Sequence, residues 1–141
     1  MRYGRFPISN NILELIPEAQ KVLNNHPQVI FAYLFGGLAK RHLSSLSDVD
    51  IAIYLIVNKN ELEIKMNLLN QLSNALKTDE IDLVILNTAS LPLIARIIQN
   101  KKVLVDKDPN LRYSFESLNL RKYFDFSIKE KDILYRRYKI G

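Results

Sequence analysis

Residues 34–55 read LFGGLAKRHLSSLSDVDIAIYL, and the last part of that stretch decides the fold. Val49, Ile51 and Ile53 alternate with Asp50, Ala52 and Tyr54, the two-residue period of a β-strand. The strand predicted over residues 48–57 is apolar on both faces, as a central strand is. Asp48 and Asp50 are then out of place. An ionised carboxylate among apolar neighbours is costly unless it is paired, hydrogen-bonded or bound to a metal. At i and i+2 the two side chains share a face and repel each other. Something positive belongs between them.

Upstream, the bend at His26-Pro27 leads into a β-branched and aromatic run, a strand over residues 28–35 that Gly36-Gly37 breaks. Downstream, Leu62, Met66, Leu69, Leu72 and Leu76 recur at helical spacing, and Asn60-x-x-Glu63 resembles a capping box at the helix start. IDLVIL, residues 81–86, is a third strand, and Ser90 caps a helix with Pro92 in its first turn. KKVLV is a short fourth strand. Asn11-x-x-Glu14 opens an N-terminal helix to about residue 24, with Pro17 in an early turn or at a kink. Strands alternating with helices predict an α/β sheet, and 141 residues suit one core. From Asp106 the chain turns aromatic and basic and is too thin in aliphatics to form a core of its own. Residues 1–105 are therefore expected to form the main domain, and 106–141 a helical C-terminal tail.

Composition removes several classes of function. There is no cysteine, so disulfides, thiolate metal sites and a cysteine nucleophile are excluded. Four glycines make neither G-x-G-x-x-G nor a P-loop. His26 and His42 lack metal-ligand spacing. No apolar run reaches membrane-spanning length, and MRYGRFPISN lacks the apolar core of a signal peptide, so no membrane partner and a cytoplasmic location are expected. The net charge of +5 comes from dispersed basic residues. That is the pattern of a solvated surface, and direct nucleic-acid binding is not expected.

The chemistry centres on three carboxylates. If Asp82 on the third strand lies opposite Asp50, then Asp48, Asp50 and Asp82 converge at one end of the sheet. Hard oxygen ligands so arranged suit Mg²⁺, which also binds substrate phosphates. The Gly36-Gly37 turn, leading into a short helix, offers backbone N–H groups to an anion, with Lys40 and Arg41 adding charge. Plainer readings remain beside this one. Gly-Gly after a strand serves often as a mere turn, Asp48 can end a strand, and Asp82 can be a solvated strand start.

The order strand, GG-L-A-K, short loop, SDVDIAI and a later DLVIL resembles the minimal nucleotidyltransferases of the DNA polymerase β superfamily. Over the whole chain, DLVILNTASLPLIARIIQNKKVLV and LRKYFDFSIKEKDILYRRY extend the resemblance to the MntA-type antitoxins of HEPN/MNT toxin–antitoxin systems. It implies a mixed sheet flanked by helices and transfer of AMP from ATP to a tyrosine of a HEPN-domain RNase toxin. This chain would form a hetero-oligomer with that partner. Asp48, Asp50 and Asp82 would be the catalytic residues and Mg²⁺ ligands, with Gly36, Gly37, Lys40 and Arg41 at the nucleotide. Two positions depart from the pattern: the family usually has serine where this chain has Gly37, and commonly glycine where it has Arg41.

Two other functions fit the same residues. One is a non-catalytic antitoxin that acts by binding and occlusion, since the Gly37 position lacks a phosphate-binding hydroxyl. The other is a nucleotidyltransferase acting on a small molecule or RNA. The tail, about 35 residues long, leaves little room for a separate acceptor-binding domain. Its aromatic and basic character suits clasping a partner protein.

Overall fold

The computed structural model of the chain describes residues 12–39, 49–56 and 59–140. Its elements are α1 (Ile12–Asn25), β1 (Val29–Phe35), α2 (Gly36–Ala39), β2 (Val49–Leu55), α3 (Glu61–Leu76), β3 (Ile81–Ile85), α4 (Leu91–Gln99), β4 (Lys102–Asp106) and α5 (Pro109–Ile140). The strands form one mixed sheet in the order β3-β2-β1-β4. β1 is antiparallel to both β2 and β4, whereas β2 and β3 run parallel. A parallel pair needs a crossover, and α3 supplies it.

The alternation within β2 sorts its side chains as the sequence pattern requires. Val49, Ile51, Ile53 and Leu55 join an aliphatic core with Ile12, Ile16, Ala19 and Leu23 of α1 and Leu68, Leu72 and Leu76 of α3. Ala52 and Tyr54 join the opposite cluster, where α4 and the start of α5 cover Phe31, Tyr33 and Phe35. Phe31 stacks on Tyr54 with ring centroids 4.8 Å apart, and Phe115 meets Tyr54 edge-on at 5.2 Å. Edge-to-face and offset rings suit the aromatic quadrupole and add to the area they bury.

Two local expectations fail, the first for an identifiable reason. Asn60 precedes α3 in the left-handed conformation, φ 59°, and its side chain makes no capping hydrogen bond. An N-cap needs extended backbone for its side chain to reach the first-turn N–H groups, and the left-handed turn prevents this. Ser90 has extended backbone but also makes no side-chain capping bond; its carbonyl accepts from Ile94 N at 2.9 Å. Pro92 sits in the first turn of α4, where a missing N–H costs nothing. Strand ends differ slightly from the sequence reading. β1 begins at Val29 and β3 ends at Ile85, although Leu86 N still donates to Ile53 O at 2.8 Å.

Pro109–Ile140 form one continuous helix of 32 residues, α5. Its first turns belong to the fold: Leu111, Phe115 and Leu120 pack into the aromatic cluster. A polar network fixes them there. Tyr33 Oη donates to Glu116 Oε2 at 2.6 Å, and Arg112 reaches both Glu116 and Asp106 at 3.0 Å. Lys101 Nζ lies 3.5 Å from the same Glu116 oxygen. Burial above all, then the bond to Glu116, pushes the Tyr33 phenol far above its ordinary value, so it stays a donor. Hydrogen bonding to Asp106 chiefly, and also to Glu116, raises the Arg112 guanidinium further above its already high value.

Among the described residues no helix is long and apolar enough to cross a membrane.

Candidate active site

β2 and β3 pair in register, Val49 with Ile81, Asp50 with Asp82 and Ile51 with Leu83. The bond from Val49 N to Glu80 O, 2.8 Å, continues the pairing one step beyond the strand end. In a parallel pair, residues in register point to the same face, and adjacent strands lie about 4.8 Å apart. Asp50 and Asp82 are therefore side by side. They lie on the face of Ala52, Tyr54 and Val84, at the end of the sheet where β1 finishes. Asp50 is half-buried and Asp82 is exposed.

β1 closes the site from the other side. Phe35 pairs with Asp50, and the chain then turns directly from Phe35 into α2 at Gly36. Gly36 has φ +71°, a conformation that side chains with a Cβ rarely adopt. It also lies against the Asp50 carboxylate: a Cβ there would overlap Asp50 Oδ2 and come within 3.1 Å of Asp50 Cγ. Glycine is thus required twice at this position. It permits the turn, and it leaves the space that the carboxylate occupies.

Two unit charges about 5 Å apart repel by about 1 kcal/mol in bulk water and about 3 kcal/mol where solvent is partly excluded. A hard cation between the carboxylates removes that cost. The donor set fits such an ion. Both groups are hard oxygen donors on adjacent strands, and the exposure of Asp82 leaves room for the waters and phosphates that Mg²⁺ retains in its shell. Among the described residues no group of three His, Asp or Glu side chains could hold a metal. Asp48, Lys40 and Arg41 lie outside the described residues. Of the residues singled out in the sequence, the fold therefore brings together Gly36, Asp50 and Asp82, with Gly37 next in the chain in α2.

The sequence reading missed Tyr33, Glu116, Arg112 and Asp106. Arg112 and Glu116 stand at i and i+4, a spacing that usually marks an exposed helix pair. Here both are buried, and the signal that would have shown it, the pairing with Tyr33, spans 83 residues.

The family model for polymerase beta nucleotidyltransferases matches residues 18–110. A search of curated proteins gave no match. Several solved structures share the fold. One chain, from a toxin–antitoxin crystal structure with AMP-PNP, superposes with a TM-score of 0.71 at 23% identity, covering 87% of this chain and 98% of that one. A chain from the tri-AMPylated Shewanella oneidensis HEPN toxin in complex with MNT antitoxin gives 0.68 at 22% identity, covering 90% and 98%. A chain from the toxin–antitoxin MntA-HepT gives 0.66 at 24%, covering 89% and 98%. The in-register carboxylates, the glycine turn against them and the match over residues 18–110 lead to one conclusion: the chain belongs to the polymerase beta nucleotidyltransferase family.

Proposed function

We propose that this chain is an antitoxin enzyme that transfers AMP from ATP to a tyrosine of a cognate HEPN RNase toxin and so neutralises it. The observation that carries the reading is the pairing of Asp50 with Asp82 beneath the Gly36 turn. Support for the acceptor comes from the similarity to chains of toxin–antitoxin complexes, one of them containing a tri-AMPylated HEPN toxin. Support for the donor comes from the relative solved with AMP-PNP.

In this reading Asp48, Asp50 and Asp82 hold Mg²⁺, which supplies charge neutralisation for the triphosphate and the departing pyrophosphate. The Gly36-Gly37 turn presents backbone N–H groups to the phosphates, with the glycine at 36 allowing close approach. Lys40 and Arg41 add positive charge to that side. The acceptor tyrosine oxygen attacks the α-phosphorus of ATP, one P–O bond forms, and the bond to pyrophosphate breaks. Asp82 is exposed, and its carboxylate is able to take the phenolic proton as that bond forms. The half-buried Asp50 stands on β2, whose backbone is paired on both sides by β1 and β3.

Intact-protein mass spectrometry of the HEPN partner tests this directly. The partner is co-expressed with the wild-type chain and with Asp48→Ala/Asp50→Ala. Adducts of adenylate mass are expected with the wild type alone. A partner that co-purifies unmodified with the wild type would overturn the transferase reading in favour of occlusion. A small-molecule or RNA acceptor would leave the HEPN protein both unmodified and unbound.

A further inference from the structure

The part of α5 beyond Leu120 has no sheet beneath it, and its direction is set by contacts on its first turns. Arg112 holds Asp106, the last residue of β4, and Glu116 meets Lys101, just before the first. Asp106 pairs with Phe31 and Lys102 with Leu34, so α5 climbs toward the end of β1 where Phe35 faces Asp50. At about 1.5 Å per residue, residues 121–140 extend roughly 30 Å further in that direction. This projecting arm therefore leaves the fold on the side of the carboxylates.

Large apolar side chains stand exposed along it: Phe124, Phe126, Ile128, Ile133, Leu134 and Tyr135. They do not form one stripe. At about 100° per residue, Phe124, Ile128 and Tyr135 fall within about 40° of one another, and Phe126 and Ile133 within about 20°. The two sets lie on nearly opposite sides of the helix. The second set continues the seam of Leu111 and Phe115, which the sheet covers lower down. A flat surface can cover only one such face. Covering both requires a groove with two apolar walls.

Charge narrows the occupant. Residues 121–140 carry seven basic and three acidic side chains. Two copies of this arm would repel each other, which disfavours self-pairing. A nucleic acid would answer the charge but would leave Ile128, Ile133 and Leu134 in water. A protein groove with apolar walls and an acidic rim answers both features.

We propose that the arm of α5 is a docking helix that inserts into an acidic-rimmed apolar groove of the acceptor protein, holding that protein on the catalytic side. The inference deepens the function proposed above and rests on it for the identity of the acceptor. A helix of this kind gains its partner contacts through a few anchors at helical spacing. Its exposed position also means that changing those anchors leaves the core untouched.

The test uses the full chain and its HEPN-domain partner. Phe126→Ser/Ile133→Ser removes one face and Phe124→Ser/Ile128→Ser the other, each checked for native circular dichroism. Phe126→Ala/Ile133→Ala serves if the serine pair disturbs the helix. Each pair is expected to weaken the complex by about tenfold or more and to raise the acceptor KM by a similar factor, with kcat within about twofold. Asp50→Asn should do the reverse, abolishing transfer while leaving binding intact. Wild-type affinity in both arm variants overturns the proposal, and loss from one face alone overturns the two-walled groove. A wild-type homodimer dissolved by the arm substitutions, or RNA binding that survives them, assigns the arm elsewhere. Failure of the wild type to bind the partner overturns the docking role outright. A complex that depends on the arm but shows no transfer refutes the adenylylation reading and leaves the docking helix standing.

Discussion

On one face of the sheet, β2 presents Val49, Ile51, Ile53 and Leu55 to the leucines of α3 and the aliphatics of α1. On the other, the same strand presents Asp50, Ala52 and Tyr54 to aromatic rings, a buried ion-pair network and solvent. The first face is held by non-directional burial, which tolerates exchange of one aliphatic for another. The second is held by directional contacts among Tyr33, Glu116, Arg112, Asp106 and Lys101. The two faces thus divide the labour. Stability that does not depend on particular geometry resides under α1 and α3, and geometry that chemistry requires resides under α4 and α5.

The sharpest way to break this division is Gly36→Ala, which touches only the second face. The added Cβ meets the Asp50 carboxylate in a backbone conformation already unfavourable for alanine. Adenylyl transfer is expected to fall on the order of 100-fold, the scale for displacing one electrostatic group at a reacting centre. The loss in stability should be about 1–3 kcal/mol, the scale of strain at a left-handed position. Single-turnover kinetics beside a urea melt separate the two effects. An active variant would mean that Asp50 does not need the space beneath the turn.

Leu72→Ala tests the opposite face. Leu72 is fully buried in the aliphatic core, so the cavity should cost about 3 kcal/mol. In the fraction that stays folded, kcat should be unchanged, because the carboxylates lie across the sheet. A lowered kcat without unfolding would show that the two faces are mechanically linked.

Glu116→Ala sharpens the comparison within the polar face. It removes the acceptor for Tyr33 Oη and one partner of Arg112, while Asp106 still holds the guanidinium. A buried donor left without a partner costs about 1–3 kcal/mol, and chemical denaturation should show a loss of about 2. Glu116→Gln, which retains an acceptor oxygen, should recover part of it. Equal losses in both variants would mean that charge rather than hydrogen bonding secures the root of α5.

The smallest effect concerns His26. Burial, and secondarily the charge of Lys107, hold its imidazole below the ordinary value of 6.5, and its Nδ1 accepts from Gln28 N at 3.2 Å. The folded state therefore binds a proton less readily than the unfolded chain. The stabilisation is present above about pH 6.5 and is lost as pH falls through the folded value. The ring is half-buried, so solvent screening leaves about a few tenths of a kcal/mol. Denaturation midpoints at pH 7.5 and 5.0, with and without His26→Gln, should differ by that small amount, the variant having the flatter profile.

The sequence made the strands readable because β2 alternates without a break and β3 repeats the pattern in IDLVI. The approach of Asp50 to Asp82 was legible only as a conditional. It depends on parallel pairing in one register, which neither strand encodes alone. Gly36 read as a turn, but its second role, making room for a carboxylate 14 residues later, belongs to tertiary structure. Asn60 misled because residue type suggests a cap, whereas its backbone is left-handed. The network about Glu116 was invisible for the same reason as the carboxylate pair: its partners come from β1, β4 and α5, brought together only by folding.

The in-register parallel pair has a consequence for how this chain can change length. Asp82 faces its partner carboxylate only while Ile81, Leu83 and Ile85 face the aliphatic core. Adding or deleting one residue within β3 would exchange those sets, sending the aspartate under the leucines of α3 and the isoleucines into water. Extra residues in the turn between Lys77 and Glu80 leave the strand's own phase alone. Insertions are therefore expected to accumulate outside β3, with the strand itself keeping a fixed count. The same parity that makes the core aliphatic keeps the two acids together.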